Sequence, residues 1–325
     1  MSHAAGFFAL AGAFMLAGHF GLRRARWSHR SPRLAIAFWQ ALAGAVVVSL
    51  LLGSICLALP GFSPVGTAGE ILHACFVELR RQYSTPAGAA VSAVGFGLFF
   101  LVMWRVARAL TRHHREATLA RRQHRQALAL VESPLGRDVV VLDHGSAAVY
   151  CIPDGRRSRR GKIIVTRGAA DHLTARQLEL VLRHERVHLA ARHDRLVQRS
   201  LALAEALPLL PFFGVAHQEI ADLAEMHADD GIETEDGPEL ASALLQLAVM
   251  TPSRVPSGAL AATGGATLAR ARRLVQPQPP LRRMTTGLIV AAIVGTSAAP
   301  ALLTAYSGGE SGFTHACCSR PALFS

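Results

Sequence analysis

The residues of this chain whose types and spacing could carry chemistry are two histidines four positions apart, with a glutamate directly after the first. His184, Glu185 and His188 form the pattern His-Glu-x-x-His. On an α-helix, residues four apart share a face, so two neutral imidazoles at this spacing can bind one Zn²⁺. The glutamate, one step round, can then reach the metal's water. The pattern therefore predicts a metal centre for hydrolysis.

The segment around this motif has the features of an amphipathic helix. Thr174 and Gln177 predict a capping box, and residues 175–192 contain neither proline nor glycine. The apolar stripe that would bury one face of this helix consists of Leu178, Val181 and Leu182. The alternative is a charged, solvated helix face without a metal, because several arginines surround the motif.

A second segment offers the third protein ligand that a catalytic zinc requires. Residues 220–230 predict a helix on which Glu225 and Asp229 share a face. We expect Glu225 to bind the metal and Asp229 to orient a metal-bound imidazole. His217 is the alternative third ligand.

Two more histidines lie close to these residues in the sequence. If one helix continues past His188, His193 lies about 140° further round it and faces away from the metal. We expect His193 to cap the C-terminal end of that helix. His227 follows Glu225 by two residues and so lies on the opposite side of that helix. We therefore expect neither His193 nor His227 at the metal.

These motifs resemble those of a known class of membrane peptidase. The His-Glu-x-x-His motif, followed by Glu225-x-x-Ala228-Asp229, is similar to the gluzincin pattern of integral-membrane metallopeptidases. The similarity is closest to the BlaR/MecR type. Residues 150–153 and 162–166 also resemble the strands that precede the metal motif in that type. HtpX-like and CAAX-processing membrane peptidases share the two zinc motifs. BlaR-type receptors carry a penicillin-binding sensor after their last span, so we expect this chain to be the short form without it.

The resemblance implies a zinc endopeptidase with one Zn²⁺ per chain, held by His184, His188 and Glu225. Glu185 would act as the general base, taking a proton from water and passing it to the leaving amine. An edge strand, with residues 162–166 as the candidate, would align an extended substrate by strand addition.

The implied biological role is regulated cleavage of a cytoplasmic or membrane-proximal protein. In BlaR/MecR relatives the target is a winged-helix transcriptional repressor or the protease itself. One alternative is HtpX-like quality control of membrane proteins. Another is a non-catalytic signalling receptor that retains the zinc site. The oligomeric state stays open.

The composition indicates a membrane protein. Of 325 residues, 51% are hydrophobic and only 17% are charged, which is too apolar for an ordinary soluble protein. The net charge is +12, but the arginines cluster beside hydrophobic segments and no recognition module is present, so we expect no direct nucleic-acid binding. The predicted fold is an α+β membrane protein in which a zincin-like domain lies between the third and fourth of four spans. The predicted spans are residues 4–22, 34–62, 87–110 and, within 281–307, a fourth.

The predicted organisation divides the chain into four parts. Residues 1–132 hold three spans with basic segments, residues 133–280 the peptidase domain, residues 281–307 the fourth span and residues 308–325 a short tail. Because basic segments stay in the cytoplasm, we expect a cytoplasmic catalytic domain, with both termini and the 63–86 loop outside. Cys75 could then pair with Cys317 or Cys318 on the oxidising side.

Smaller elements within the domain are also predicted. Residues 138–143, 147–152 and 162–166 have the pattern of strands. Residues 201–216 are apolar but contain two prolines, and we expect a buried or interfacial hairpin, since a crossing there would separate His188 from Glu225. Residues 239–250 predict a core helix and residues 251–267 a flexible loop.

Overall fold

A computed structural model shows a mostly helical chain with one small mixed sheet. The structure describes residues 2–60, 68–129, 133–134, 138–155, 161–250, 264–276 and 279–316. The chain forms two compact units. The first consists of Met1–Arg24, Ala37–Arg108 and Arg283–Ser325, and the second of Ala25–Ile36 and Ala109–Arg282.

Long helices form the first unit, and two of them also contribute residues to the second. They are α1 (Ser2–Leu16), which continues as a π-helical segment to Leu22, α2 (Pro32–Ala58), α3 (Ala68–Gln82), α4 (Pro86–Ala129) and α11 (Arg283–Ala316). Four segments are long and apolar enough to cross a membrane: His3–Leu22, Pro32–Ala58, Pro86–His124 and Arg283–Ala305. The prediction of four candidate spans is confirmed.

The prediction of a loop over residues 63–86 is wrong, because α3 occupies most of that stretch. Its apolar residues recur at helical spacing in the sequence, at Ile71, Leu72, Cys75 and Leu79, between polar ones. The side chain of Cys75 and residues 317–318 lie outside the described residues. The predicted disulfide therefore stays a prediction.

The sheet of the second unit consists of β1 (Ser133–Pro134), β2 (Val139–Leu142), β3 (Val149–Pro153) and β4 (Gly161–Thr166) in the order β1-β2-β4-β3. β4 pairs in parallel with β2 and antiparallel with β3. The prediction of residues 162–166 as an edge strand is therefore wrong, since β4 is paired on both sides. Among the described strands, β3 lies at the end of the order.

The helices of this unit are α5 (Arg167–His172), α6 (Ala175–Ala191), α7 (His193–Ala206), α8 (Pro211–Asp229), α9 (Gly237–Met250) and α10 (Gly264–Val275). The predicted capping box of α6 is confirmed, since Thr174 and Gln177 bond to each other's backbone amides. Residues 264–267 begin α10 rather than extend the predicted loop, of which residues 251–263 lie outside the described residues.

A buried apolar face fixes α6 in the unit. Leu180 and Val181 pack in a cluster with α9 and α10 that also contains Leu240 and Leu274. On the same helix, Leu178 packs against a neighbouring cluster built on Val139, Ala147, Val165 and Ala169. The face of α6 that bears the histidines is therefore held on a rigid element.

The predicted hairpin over residues 201–216 is present as the antiparallel pair α7 and α8. A short turn, residues 207–210, joins the two helices, and Pro211 begins the second one. Leu209 at the tip is 92% exposed. Because the chain turns back here, the second metal motif is brought against the first. Contact of the tip with a bilayer stays a prediction.

Candidate metal centre

Three side chains from α6 and α8 converge on one point. His184, His188 and Glu225 each present one donor atom, and these atoms lie within 4.8 Å of one another. The two Nε2 atoms are 3.1 Å apart. The Glu225 oxygens lie 3.6 Å from His184 Nε2 and 3.5 Å from His188 Nε2. His217, the alternative ligand, instead bonds to the Ser200 hydroxyl at 3.0 Å.

These separations fit a tetrahedral metal. Two ligand atoms about 2.0–2.1 Å from a zinc ion, at the tetrahedral angle, lie about 3.3–3.4 Å from each other. The two imidazole nitrogens are slightly closer than that, and each has a Glu225 oxygen slightly further away, Oε2 for His184 and Oε1 for His188. Two imidazoles and one carboxylate are also the donor set of zinc hydrolases that keep a fourth position open. The residues therefore suit a catalytic zinc better than a closed structural one.

A buried charged group supports His184. Its Nδ1 lies 3.1 Å from Asp229 Oδ1. Asp229 in turn accepts two bonds from Arg270, at 2.7 and 2.9 Å. Arg270 Nη1 also lies 2.7 Å from Glu225 Oε2. The Arg270 guanidinium thus contacts both Glu225, a candidate ligand, and Asp229, the partner of the candidate ligand His184.

The charges of this buried group balance when His184 is protonated. Two carboxylates face one guanidinium, so a second positive charge is favourable in the metal-free protein. Burial alone would lower the pKa of His184, but its contacts with the Asp229 and Glu225 carboxylates raise it to about 9. Burial would raise the pKa of Glu225, but His184 and Arg270 lower it to about 2. They hold the pKa of Asp229 below its ordinary value in the same way.

Sequence reasoning missed Arg270, which it counted among the basic residues flanking the fourth span. Arg270 is 4% exposed, and α10 carries it into the second unit. Arg273 of the same helix bonds to Asp230, to the Met226 carbonyl and to the His29 carbonyl. These arginines hold the unit together, and only their long-range contacts distinguish them from membrane-flanking charge.

The expectation that His193 faces away from His188 and caps its helix is wrong. Arg192 has left-handed backbone angles, φ 56° and ψ 45°, so α6 ends there and α7 starts in a new direction. His193 therefore turns back, with its Nδ1 2.9 Å from His188 Nδ1. Its Nε2 lies 2.9 Å from His227 Nδ1. Burial lowers the pKa of His188 to about 4 and that of His193 to about 3, so both are neutral.

Glu185 lies between the candidate metal centre and the edge strand. It follows His184 on α6, and burial raises the pKa of its carboxyl. The Cys151 thiol, on β3, forms a hydrogen bond with this carboxylate. Cys151 is half-buried beside this candidate base. β3, which ends the order of the described strands, therefore lies beside the Glu185 carboxylate.

Comparison with known proteins gives one match. The model of peptidase family M48 matches residues 113–276, about half of the chain and the part that contains both metal motifs. Searches of curated proteins and of solved structures found no match.

Proposed function

The chain belongs to peptidase family M48, and on this premise we propose that it is a membrane zinc endopeptidase. M48 peptidases depend on a metal, typically zinc, and the four candidate spans make this chain a multi-pass membrane protein. The observation that carries the proposal is the convergence of one donor atom each from His184, His188 and Glu225 within 4.8 Å of one another, in a donor set that suits zinc. Zinc, when bound, supplies a Lewis acid that polarises the scissile carbonyl and makes water acidic.

The remaining chemistry belongs to the side chains. Glu185 accepts a proton from the attacking water and later donates it to the leaving amine. A carboxyl whose pKa is raised by burial is better suited to return that proton. Asp229 orients His184, and Arg270 holds both Asp229 and Glu225 in place. An extended substrate pairs with β3, the strand whose Cys151 contacts Glu185.

We further propose that the catalytic domain is cytoplasmic and that it cleaves a cytoplasmic or membrane-proximal protein. The arginine-rich sequence beside the predicted spans supports this sidedness. The resemblance to BlaR/MecR peptidases supports regulated cleavage of a repressor or of the chain itself. Protease protection in oriented vesicles tests the sidedness, since the domain should be degraded only when the cytoplasmic face is accessible.

The proposed activity is tested with full-length protein purified in detergent. The zinc-loaded wild type is compared with Glu185→Gln, which keeps the metal ligands but removes the base. Glu179→Gln is the matched control, because Glu179 lies on the same helix in exposed pairs with Arg176 and Arg183. Candidate substrates are the chain itself, winged-helix repressors and damaged membrane proteins.

We expect the wild type and Glu179→Gln to cleave alike and Glu185→Gln to lose roughly 10²–10⁴-fold in rate, as for removal of a general base. Zinc bound equally to all three proteins, with cleavage of every substrate no faster in the wild type than in Glu185→Gln, would contradict the enzyme. That outcome would favour a receptor that retains its metal.

A further inference from the structure

A row of three imidazoles leads away from the candidate metal centre. His188 Nδ1 lies 2.9 Å from His193 Nδ1. His193 Nε2 lies 2.9 Å from His227 Nδ1. His193 is completely buried, whereas His227 is half-buried. The row therefore connects a candidate ligand to the outer part of the unit through one enclosed ring.

The two contacts admit one arrangement of protons once His188 binds a metal through Nε2. Each nitrogen pair needs one donor and one acceptor, and a neutral imidazole has one of each. His188 must then carry its proton on Nδ1 and donate it to His193 Nδ1. His193 must in turn carry its proton on Nε2 and donate it to His227 Nδ1. The proton positions along the row are thus fixed from the metal outward.

The backbone places His193 there at some cost. Arg192 is the one non-glycine residue with a positive φ among the described residues, at 56°. A non-glycine residue in this left-handed region is strained and persists where the surroundings require it. The turn between α6 and α7 has the result that His193 faces His188. The strained residue therefore serves the contact with the candidate ligand.

We propose that His193 is a positioning residue of the metal centre, which accepts the Nδ1 proton of His188 and thereby fixes that ligand's tautomer and ring orientation. His227 holds His193 in turn. The inference rests on the proposed function, because it takes His188 as a metal ligand. Outer partners of metal-bound histidines are usually carboxylates, carbonyls or water, and their removal typically costs about 10–100-fold in metal affinity. Here a neutral imidazole takes that place.

The experiment measures the Kd for zinc of the full-length protein in detergent, by competition with a chromophoric chelator. His193→Asn and His193→Gln form a matched pair. The asparagine amide occupies roughly the position of Nδ1 and can accept from His188, whereas the glutamine amide reaches the position of Nε2 and contacts His227. His193→Leu removes both contacts, and His188→Ala removes the candidate ligand.

We expect His193→Leu and His193→Gln to raise the Kd for zinc by roughly 10–100-fold, and His193→Asn to stay within about threefold of the wild type. The thermal midpoints of the metal-free proteins identify any variant that fails to fold. If His193→Leu does not fold, the asparagine and glutamine variants decide the question between them. A merely structural role would make asparagine and glutamine equally poor replacements.

Two failures can be told apart. A wild type that binds no zinc, or that binds it as tightly after His188→Ala, would remove the proposed metal centre itself. If zinc affinity falls in His188→Ala but is unchanged in both His193→Asn and His193→Gln, only the positioning role would be overturned. The same holds if His193→Asn binds zinc as weakly as His193→Gln.

Discussion

The two histidines of the candidate metal centre lie four residues apart on one helix, yet their outer nitrogens face opposite kinds of surroundings. His184 Nδ1 meets the Asp229 carboxylate, which is paired with Arg270. His188 Nδ1 meets the neutral ring of His193. Contacts with Asp229 and Glu225 raise the pKa of His184, whereas burial lowers the pKa of His188. A shared motif therefore does not make the two positions equivalent.

The difference concerns what each ligand gives up when a metal binds. A carboxylate partner increases the basicity of an imidazole, so His184 is a strong ligand that must first lose a proton. With a neutral partner, His188 can bind a metal without first losing a proton, but the partner adds no negative charge to the site. We call His184 with Asp229 and Arg270 the charged side, and His188 with His193 the neutral side. The charged side thus controls stability and proton exchange, whereas the neutral side controls the orientation of its ligand. Three changes to the charged side test this division.

The largest effect is expected from Arg270→Leu. This change leaves the buried carboxylates of Glu225 and Asp229 with protonated His184 as their one positive partner in this group, and removing one partner of a buried pair costs about 3–5 kcal/mol. The thermal midpoint of the metal-free protein should fall by about 10 °C. Bound zinc supplies positive charge, so the loss should be smaller in the loaded protein.

The matched control for that experiment is Arg272→Leu, which removes the same charge from an exposed position of α10. Its midpoint should stay close to the wild-type value. Equal losses in the two variants, or a loss that zinc does not reduce, would show that Arg270 does not act by compensating the buried carboxylates.

A smaller effect is expected from Asp229→Asn. The amide keeps the shape of the carboxylate but removes the charge that supports His184, so the Kd for zinc should rise by roughly 10–100-fold. Asp230→Asn is the control, because Asp230 is exposed and pairs with Arg273 rather than with a candidate ligand. Equal zinc affinity of the two variants would mean that Asp229 does not support the metal.

The smallest effect is a pH dependence of the metal-free protein. His184 has a folded pKa of about 9 against an ordinary value of 6.5, so its stabilising contribution is complete below pH 6.5 and is lost as the pH rises through 9. The thermal midpoint should therefore fall by several degrees between pH 6.5 and 9. In His184→Gln this part of the decline should disappear.

For the neutral side we expect the stability of the metal-free protein to change with pH in the opposite direction at lower pH. The pKa of His188 is lowered to about 4, so the unfolded chain binds more protons than the folded one between pH 4 and 6.5, and stability rises with pH there. A wild-type midpoint that changes in the same direction over both ranges would contradict the comparison of the two histidines.

Local patterns were enough to predict the elements that carry the charged side. The capping box at Thr174, the spacing of His184 and His188, and the helical spacing of Glu225 and Asp229 each depend on a few neighbouring residues. The structure brings these residues together because the α7–α8 hairpin returns the chain. That hairpin was predicted because a membrane crossing by this apolar, proline-containing segment would separate His188 from Glu225.

The parts that could not be predicted depend on contacts between distant residues or on one backbone angle. The position of His193 follows from the left-handed conformation of Arg192, for which the sequence offers no glycine or asparagine signal. Arg270 is separated from Asp229 by 41 residues, and its sequence neighbourhood resembles membrane-flanking charge. The order of the strands, which makes β3 the edge, depends on pairing that no single strand encodes.

The central claim is that two histidines and one glutamate hold a single metal ion. X-ray absorption at the zinc edge, on full-length protein loaded with one equivalent of zinc, tests this ligand set directly. We expect four nitrogen or oxygen neighbours at about 2.0–2.2 Å, two of them with the multiple scattering of imidazole. A sulfur neighbour at about 2.3 Å would identify Cys151 as a ligand, and a third imidazole would put His193 or His217 in the place of Glu225. Either result would contradict the account.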